Sequence, residues 1–490
     1  MNKFFKYTMM AALAISVTAC QDDDDDDDNA NQNPAPSNPV SFQSHSTTGN
    51  YLKLDPAFSS VKIYPILSSE DQLSESPNFV YGSMADGAGL LKNNDGTFTL
   101  INNIEADYSI ARITLDKTFK PVKGEYILNS TASASTAQCS GSMVTPEEHG
   151  FGPLYLSGGE WGGSSKGVFR TDPYMNASGA SAASMIAGMG QWSTENAVVI
   201  GKDAYANKTV TFIGDDHSDN NEPSGQLGMY VSDKGSFANG KLYTLKVTSP
   251  GINYEVDMQE GVAYDMEFVE MTETDIALLD AEAKTKGAMG FSRLEDIDWR
   301  RGSADNNREI YFAVTGRSKA GLVGKGTKFG RIYKVELNDN DPTAAGKITC
   351  ILDGDLVSGN AADFHSPDNI LVTENYAYIQ EDPNGYASEK ASADHFARLY
   401  QYNLNTGVMK TVLECDQVAA EAAGVGTTSS TWEITGMIDI SDIVGINESY
   451  ILITQNHGWE DPGFTDPNAN PDLTNRTEGS QLFVVQGLAR

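Results

Sequence analysis

The sequence predicts an all-β fold: a β-propeller, six blades fitting its length, with a few inserted helices and long loops. Three observations lead there. From Tyr51 onward the chain is a succession of four- to eight-residue runs rich in Val, Ile, Tyr, Phe and Thr, separated by Gly, Asn and Asp turns. A degenerate strand motif recurs as Gly240-Lys-Leu-Tyr-Thr-Leu245, Gly330-Arg-Ile-Tyr-Lys-Val335, Ala397-Arg-Leu-Tyr-Gln-Tyr402 and Ser480-Gln-Leu-Phe-Val-Val485, with first positions 90, 67 and 83 residues apart. Only 272–286 and 416–423 carry a helical pattern. Repeated antiparallel units at loose intervals suit blades around a channel. A pair of β-sandwiches is the competing architecture, and it has no need of a recurring blade motif.

The amino terminus reads as an address. Lys3 and Lys6 precede a short apolar core at 9–15, and Val17-Thr-Ala-Cys20 places a small residue before a cysteine, as at a signal-peptide cleavage site. The stretch resembles a bacterial lipobox, so 1–19 is expected to be a lipoprotein signal and Cys20 the lipidated first residue of the mature chain. Gln21 and the seven aspartates 22–28 resemble sorting and surface-export features of outer-membrane lipoproteins, and the run is also a solvated spacer. Residues 20–47 are expected to form a tether and 48–490 the propeller domain. No later run has the length of a membrane-spanning helix.

Charge narrows the partners. The chain has 34 basic and 67 acidic residues, and subtracting the seven aspartates of the run from −33 leaves −26. Nucleic acid is therefore excluded as a partner, and the expected state is a monomer tethered by its lipid. Setting Cys20 aside leaves Cys139, Cys350 and Cys415, an odd number, so at least one thiol stands outside any intramolecular disulfide.

Acids gather beside predicted strands. Arg293-Leu-Glu295-Asp296 precedes Glu309-Ile-Tyr-Phe-Ala-Val-Thr315, and reads as a short turn. Gly214-Asp215-Asp216-His217 closes one apolar run, Ser366-Pro-Asp368-Asn369 opens another, and Gln380-Glu381-Asp382 closes a third. Like charges so placed repel unless a cation compensates them, and hard cations such as Ca2+ take carboxylate and carbonyl oxygens. Other motifs weigh less. Gly163-Ser-Ser165-Lys-Gly167 lacks the strand-turn-helix context of a nucleophile elbow, and the alternating oxygens of 466–472 have Pro471 where a calcium loop needs glycine. Arg317, Lys319, Lys325 and Lys328 in the 316–328 loop could steer an anion, although a solvated loop is the default.

In order along the chain, Gln138-Cys139-Ser-Gly141 with Thr145-Pro146, Ser157-Gly-Gly-Glu160, Glu195, Gly214-Asp215-Asp216, Phe291-Ser-Arg293-Leu-Glu295-Asp296, Gly330-Arg-Ile-Tyr333, Pro367-Asp368-Asn369, Glu381-Asp382, Trp432-Glu433-Ile-Thr-Gly436 and Gln455-Asn-His457 resemble the motifs of PhoX-type alkaline phosphatases. The resemblance implies a propeller whose central site holds an iron pair (Fe3+) and several calcium ions and hydrolyses phosphate monoesters. By the same resemblance Cys139 is an iron ligand, Glu295 and Asp296 are catalytic metal ligands, and Arg293 holds a phosphate oxygen pair. Glu160, Glu195, Asp215, Asp216, His217, Asp368, Glu381, Asp382 and Glu433 complete the metal-binding set, and His457 joins Arg293 in binding substrate. Three positions depart from the pattern: Leu294 replaces a proline, Thr194 a histidine, and His217 an acid. An insertion around 147–149 also spaces Cys139 further from Glu160 than the family does.

Two functions follow from these features. One is a metal-dependent phosphatase acting outside the cytoplasm. The other is a calcium-stabilised propeller without the iron pair, used for surface binding.

Overall fold

Strand-forming runs that are apolar on both faces must be covered on both faces. In the computed structural model, which describes residues 40–217, 219–383, 387–471 and 477–490, six small antiparallel sheets do this for one another. Their innermost strands are Ala85–Lys92, Thr136–Val144, Thr194–Val199, Leu294–Trp299, Pro367–Val372 and Glu433–Asp439. Each packs against the next, and the last packs against the first, so the ring closes. We call the sheets blades 1 to 6 in chain order.

The apolar core is divided accordingly. One cluster of buried side chains fills each gap: Ile101 and Phe169 lie between blades 1 and 2, and Leu156 and Ile213 between 2 and 3. Phe212 and Phe312 lie between 3 and 4, Ile332 and Ile379 between 4 and 5, Leu399 and Leu452 between 5 and 6, and Leu90 and Val484 between 6 and 1. Six wedges of core rather than one explain why the strands read as continuous apolar runs.

The ends of the chain close the circle. The strand Lys62–Ser68 pairs with the carboxy-terminal Glu478–Gln486 and completes blade 6, while Leu52–Leu54 adds to the edge of blade 5. Ala263–Glu270 bridges the outer edges of blades 3 and 4, making one nine-stranded sheet of the two. The recurring strand motif occupies the third strand of blades 4, 5 and 6, and the fourth strand of blade 3.

Some boundaries differ from the sequence expectation. The first of the two expected helices is Ile276–Lys286 rather than 272–286, because the backbone N–H groups of Thr272 and Glu273 are taken by the Glu282 carboxylate and Asp275 supplies the cap. The second is Gln417–Ala422, capped by Asp416. Residues 40–47, expected in the tether, pack on the domain: Val40 is buried, Phe42 meets Phe119 edge-on, and His45 N–H donates to the Pro65 carbonyl at 2.9 Å. Cys20, the aspartate run 22–28 and Asp472 lie outside the described residues. No helix among the described residues is long and apolar enough to cross a membrane.

Candidate active site and metal centre

The six inner strands share one irregularity. In each, two residues oppose one on the neighbouring strand, between the paired ends of 85–88, 138–141, 194–197, 294–297, 367–370 and 435–438. Such a bulge kinks the strand and re-aims the extra side chain. The first residue inside the bulge is Asp86, Cys139, Glu195, Glu295, Asp368 and Gly436 in turn. Five blades thus place an acid or a thiol at the same structural position. In blade 6 it is a glycine with φ +57, whose Cβ would meet the Asp86 carbonyl oxygen at 2.5 Å, and Glu433 from the same strand stands in as the acid.

Arg293-Leu294-Glu295-Asp296 is accordingly not a turn. It enters the inner strand of blade 4, with Glu295 and Asp296 inside its bulge.

Second strands add further groups. Glu105, Glu160, Asp216 and Asp382 come from the ends of the second strands of blades 1, 2, 3 and 5. With the bulge residues and Glu433, all of these but Asp216 form overlapping ligand sets, the ligand atoms of each lying within 4.8 Å of one another: Asp86, Cys139 and Glu195; Glu105, Cys139 and Glu160; Glu195, Glu295 and Asp368; Asp368, Asp382 and Glu433. Burial raises the pKa of Asp86, Glu105, Glu160, Glu195, Glu295, Asp368 and Glu433, and repulsion by neighbouring acids adds to it. Burial, then Glu105, Glu160, Glu195 and Asp86, likewise push the Cys139 thiol up, and it donates to Glu160 Oε2 at 2.8 Å. Asp368 Oδ1 is buried without a hydrogen-bond partner; Glu295 Oε1 also lacks one, although Arg293 Nη2 lies 2.9 Å away as an ion pair. Buried, mutually repelling oxygens beside a thiol are the donor set that multivalent cations require.

Arg293 stands among these acids. Its backbone is left-handed at φ +66, an unusual state for a side chain of this size, and this turns the guanidinium toward blade 3. There Nε lies 3.1 and 3.2 Å from the two Asp216 carboxylate oxygens and Nη2 lies 3.0 Å from Oδ2. Burial pulls its pKa down, but Asp216 and Glu295 more than offset that, and the group stays charged. Next to Glu160 and Asp216 opens a cleft of about 380 Å³, lined also by Trp161, Lys166, Ile276 and Leu279.

A family profile for alkaline phosphatase PhoX matches residues 167–443. The chain belongs to the alkaline phosphatase PhoX family. It is thereby a phosphoric monoester hydrolase. The matched stretch contains Glu195, Asp216, Arg293, Glu295, Asp368, Asp382 and Glu433, while Asp86, Glu105, Cys139 and Glu160 lie before it. The Pseudomonas fluorescens PhoX structure, solved with vanadate as a transition-state analogue, superposes with TM-score 0.62 at 14% identity over 91% of this chain and 98% of that one. This agreement concerns the propeller fold. The GH93 α-L-arabinofuranosidase of Fusarium graminearum gives 0.34 at 9% identity, over 84% and 96% of the two chains. No curated protein sequence gives a significant match.

Several residues of the PhoX motif set sit elsewhere than the sequence suggested. Asp296 is not presented to the acidic cluster: Oδ1 accepts from the Asn196 side-chain amide and from Ile297 N–H at 2.8 Å, and Oδ2 accepts from Ile370 N–H at 3.1 Å. It clasps blades 3, 4 and 5 together. Asp215 accepts from Ser193 N–H at 2.9 Å, and its strand neighbour Asp216 takes the side facing the site. His217 lies 3.9 Å from Asp280 at the edge of the cleft. Glu381 points away from Asp382, into blade 5, where it accepts from the N–H groups of His365 and Arg398. His457 faces the acids from blade 6, its Nδ1 3.0 Å from Glu478 Oε2; burial lowers its pKa, but Glu478, Asp382 and Glu105 together leave it raised.

Sequence reasoning missed Asp86 and Glu105. The signal was present. Ala85-Asp86-Gly87-Ala88 sets an acid among small residues, and a Cβ at Gly87 would meet Gly141 N at 2.2 Å where blades 1 and 2 approach. It also missed Asn103, which donates to the Cys139 carbonyl, and gave no role to Asn369, which donates to Ser140 Oγ at 2.6 Å.

Proposed function

We propose that this PhoX-family chain hydrolyses exposed phosphate monoesters outside the cytoplasm at an Fe3+- and Ca2+-loaded centre between Cys139 and Glu433. The observation that carries the reading is Arg293 held at φ +66 among the bulge-borne acids. Cys139, Asp86, Glu105, Glu160 and Glu195 form the side suited to iron, since a thiolate prefers it. Glu295, Asp368, Asp382 and Glu433 form an all-oxygen side suited to calcium. When bound, these ions would neutralise phosphate oxygens and stabilise the charge that develops on attacking and leaving oxygens.

The chain's own groups do the rest. Arg293 presents a planar fork to two phosphate oxygens, and Asp216 fixes its orientation before substrate arrives. His457, held by Glu478, supplies a second positive group facing the acids and can give a proton to the departing oxygen. The organic part of the ester would lie in the cleft lined by Trp161 and Ile276. Attachment through Cys20 would keep the enzyme at the outer membrane, where phosphate esters arrive from outside.

The test is hydrolysis of p-nitrophenyl phosphate by the purified chain, before and after chelation and on return of calcium and ferric iron. Activity lost with the metals and regained with them supports the reading. A chain that carries calcium, binds no iron and turns nothing over would instead be the binding propeller.

A further inference from the structure

Glu381 departs from the central set, and what it meets is a second constellation. One ring nitrogen each of His365 and His395 and an oxygen of Glu381 lie within 4.8 Å of one another. The imidazoles are 5.1 Å apart, and His395 Nδ1 lies 3.6 Å from Glu381 Oε2. His365 and Glu381 are both fully buried.

The surroundings are arranged as around ligands rather than around an ordinary ion pair. Glu381 Oε1 accepts from His365 N–H at 3.0 Å and from the Tyr400 hydroxyl at 3.1 Å, while Oε2 takes Arg398 N–H at 2.9 Å and keeps a lone pair toward His395. The Asp363 carbonyl lies 2.9 Å from His395 Nε2, which fixes an N–H there and makes Nδ1 the ring nitrogen that faces Glu381. The Phe396 carbonyl, 2.7 Å from that Nδ1, offers an oxygen at the same place. His365 Nε2, moreover, is buried with no hydrogen-bond partner. A ring nitrogen so placed costs free energy that a ligand removes.

We propose that His365, Glu381 and His395 form a separate structural site for a borderline divalent cation of the zinc type. Two imidazoles and one carboxylate match that chemistry, and calcium prefers an all-oxygen set. The ion would pin the segment carrying the short turns Ala387–Glu389 and Ala391–Ala393 to the strand Tyr376–Glu381, whose next residue, Asp382, belongs to the central cluster. The site rests on none of the groups assigned to phosphate hydrolysis.

Zinc itself is the probe. The purified, calcium- and iron-loaded chain is equilibrated with Zn2+, dialysed, and its zinc content measured beside His365→Gln and His395→Gln. Wild type should retain one zinc per chain more than either variant, melt at a higher temperature with zinc than without, and give a zinc-edge anomalous peak between the three side chains. Activity on p-nitrophenyl phosphate, read on the same samples, should be the same in His395→Gln as in wild type, which separates this site from the catalytic reading. If His365→Gln does not fold, the less enclosed His395→Gln and the anomalous map of wild type decide. Equal zinc in wild type and His395→Gln, or no peak at the triad, overturns the proposal.

Discussion

Asp216 and Arg293 face each other across the gap between blades 3 and 4, with both carboxylate oxygens in reach of the guanidinium, the shortest contact being 3.0 Å. The pair joins the end of one second strand to the start of the next inner strand. A carboxylate that occupies the fork also aligns it for another two-oxygen anion. Arg293→Lys keeps charge but loses the planar fork, so kcat/KM on p-nitrophenyl phosphate should fall by roughly 10²-fold. Asp216→Asn should give a smaller loss, expressed mainly in KM. Steady-state kinetics check both, and an unaltered kcat/KM in Arg293→Lys would remove the arginine from phosphate binding.

Glu295 and Asp296 are adjacent in sequence and different in use. Glu295→Gln should abolish activity with little change in melting temperature, since its carboxylate faces the acidic cluster. Asp296→Asn keeps one acceptor oxygen and turns an amide toward N–H donors, which costs about 1–3 kcal/mol of stability. Thermal melts and assays of the two variants should therefore separate. Identical behaviour would contradict the clasp seen between Asp296, Asn196 and Ile370.

Cys139 offers a spectroscopic test. Its thiol is fully buried beside Glu160, and a serine there has the size but not the affinity for ferric iron. Cys139→Ser should lose colour, bound iron and activity together. Full iron content in the variant would reduce Cys139 to a packing residue.

Glu255, which holds the N–H of the residue before Arg293, predicts a pH effect on stability. Burial raises its pKa to about 7, opposed by Arg331, and it accepts from the N–H groups of Ser292 and Thr327 at 2.9 and 3.0 Å. A carboxyl whose folded pKa lies above its unfolded value stabilises fully below the unfolded value of 4.5. That stability, about 3 kcal/mol from the size of the shift, is lost as pH rises toward about 7. The melting-temperature difference between wild type and Glu255→Gln should shift across this window and level off above it. Parallel curves would mean Glu255 is charged throughout.

Location is tested at Cys20 and the aspartate run. Cys20→Ala should leave an unprocessed, unlipidated precursor, and deletion of 22–28 should leave a lipidated chain shielded from protease on intact cells. Cleavage of the deletion variant at the parental rate would make the run a spacer only.

Composition and local pattern determined much about this protein by themselves. Short β-branched runs between Gly, Asn and Asp turns need nothing distant to declare strands, and Asp275 and Asp416 cap helices from the neighbouring position. The ordered motifs from Cys139 to His457 were enough to suggest the family, because residues that must meet one ligand keep their flanks. Only the tertiary structure decided which acids share a site. Glu295 and Asp296, Asp215 and Asp216, and Glu381 and Asp382 are pairs of neighbours on strands, where successive side chains leave on opposite faces or are turned by a bulge. One member of each pair enters the site and the other goes into a blade or between blades, and which one depends on a register set by the facing strand. Asp86 and Glu105 become neighbours of Cys139 only because blades 1 and 2 pack against each other, a tertiary contact that no local window of sequence contains.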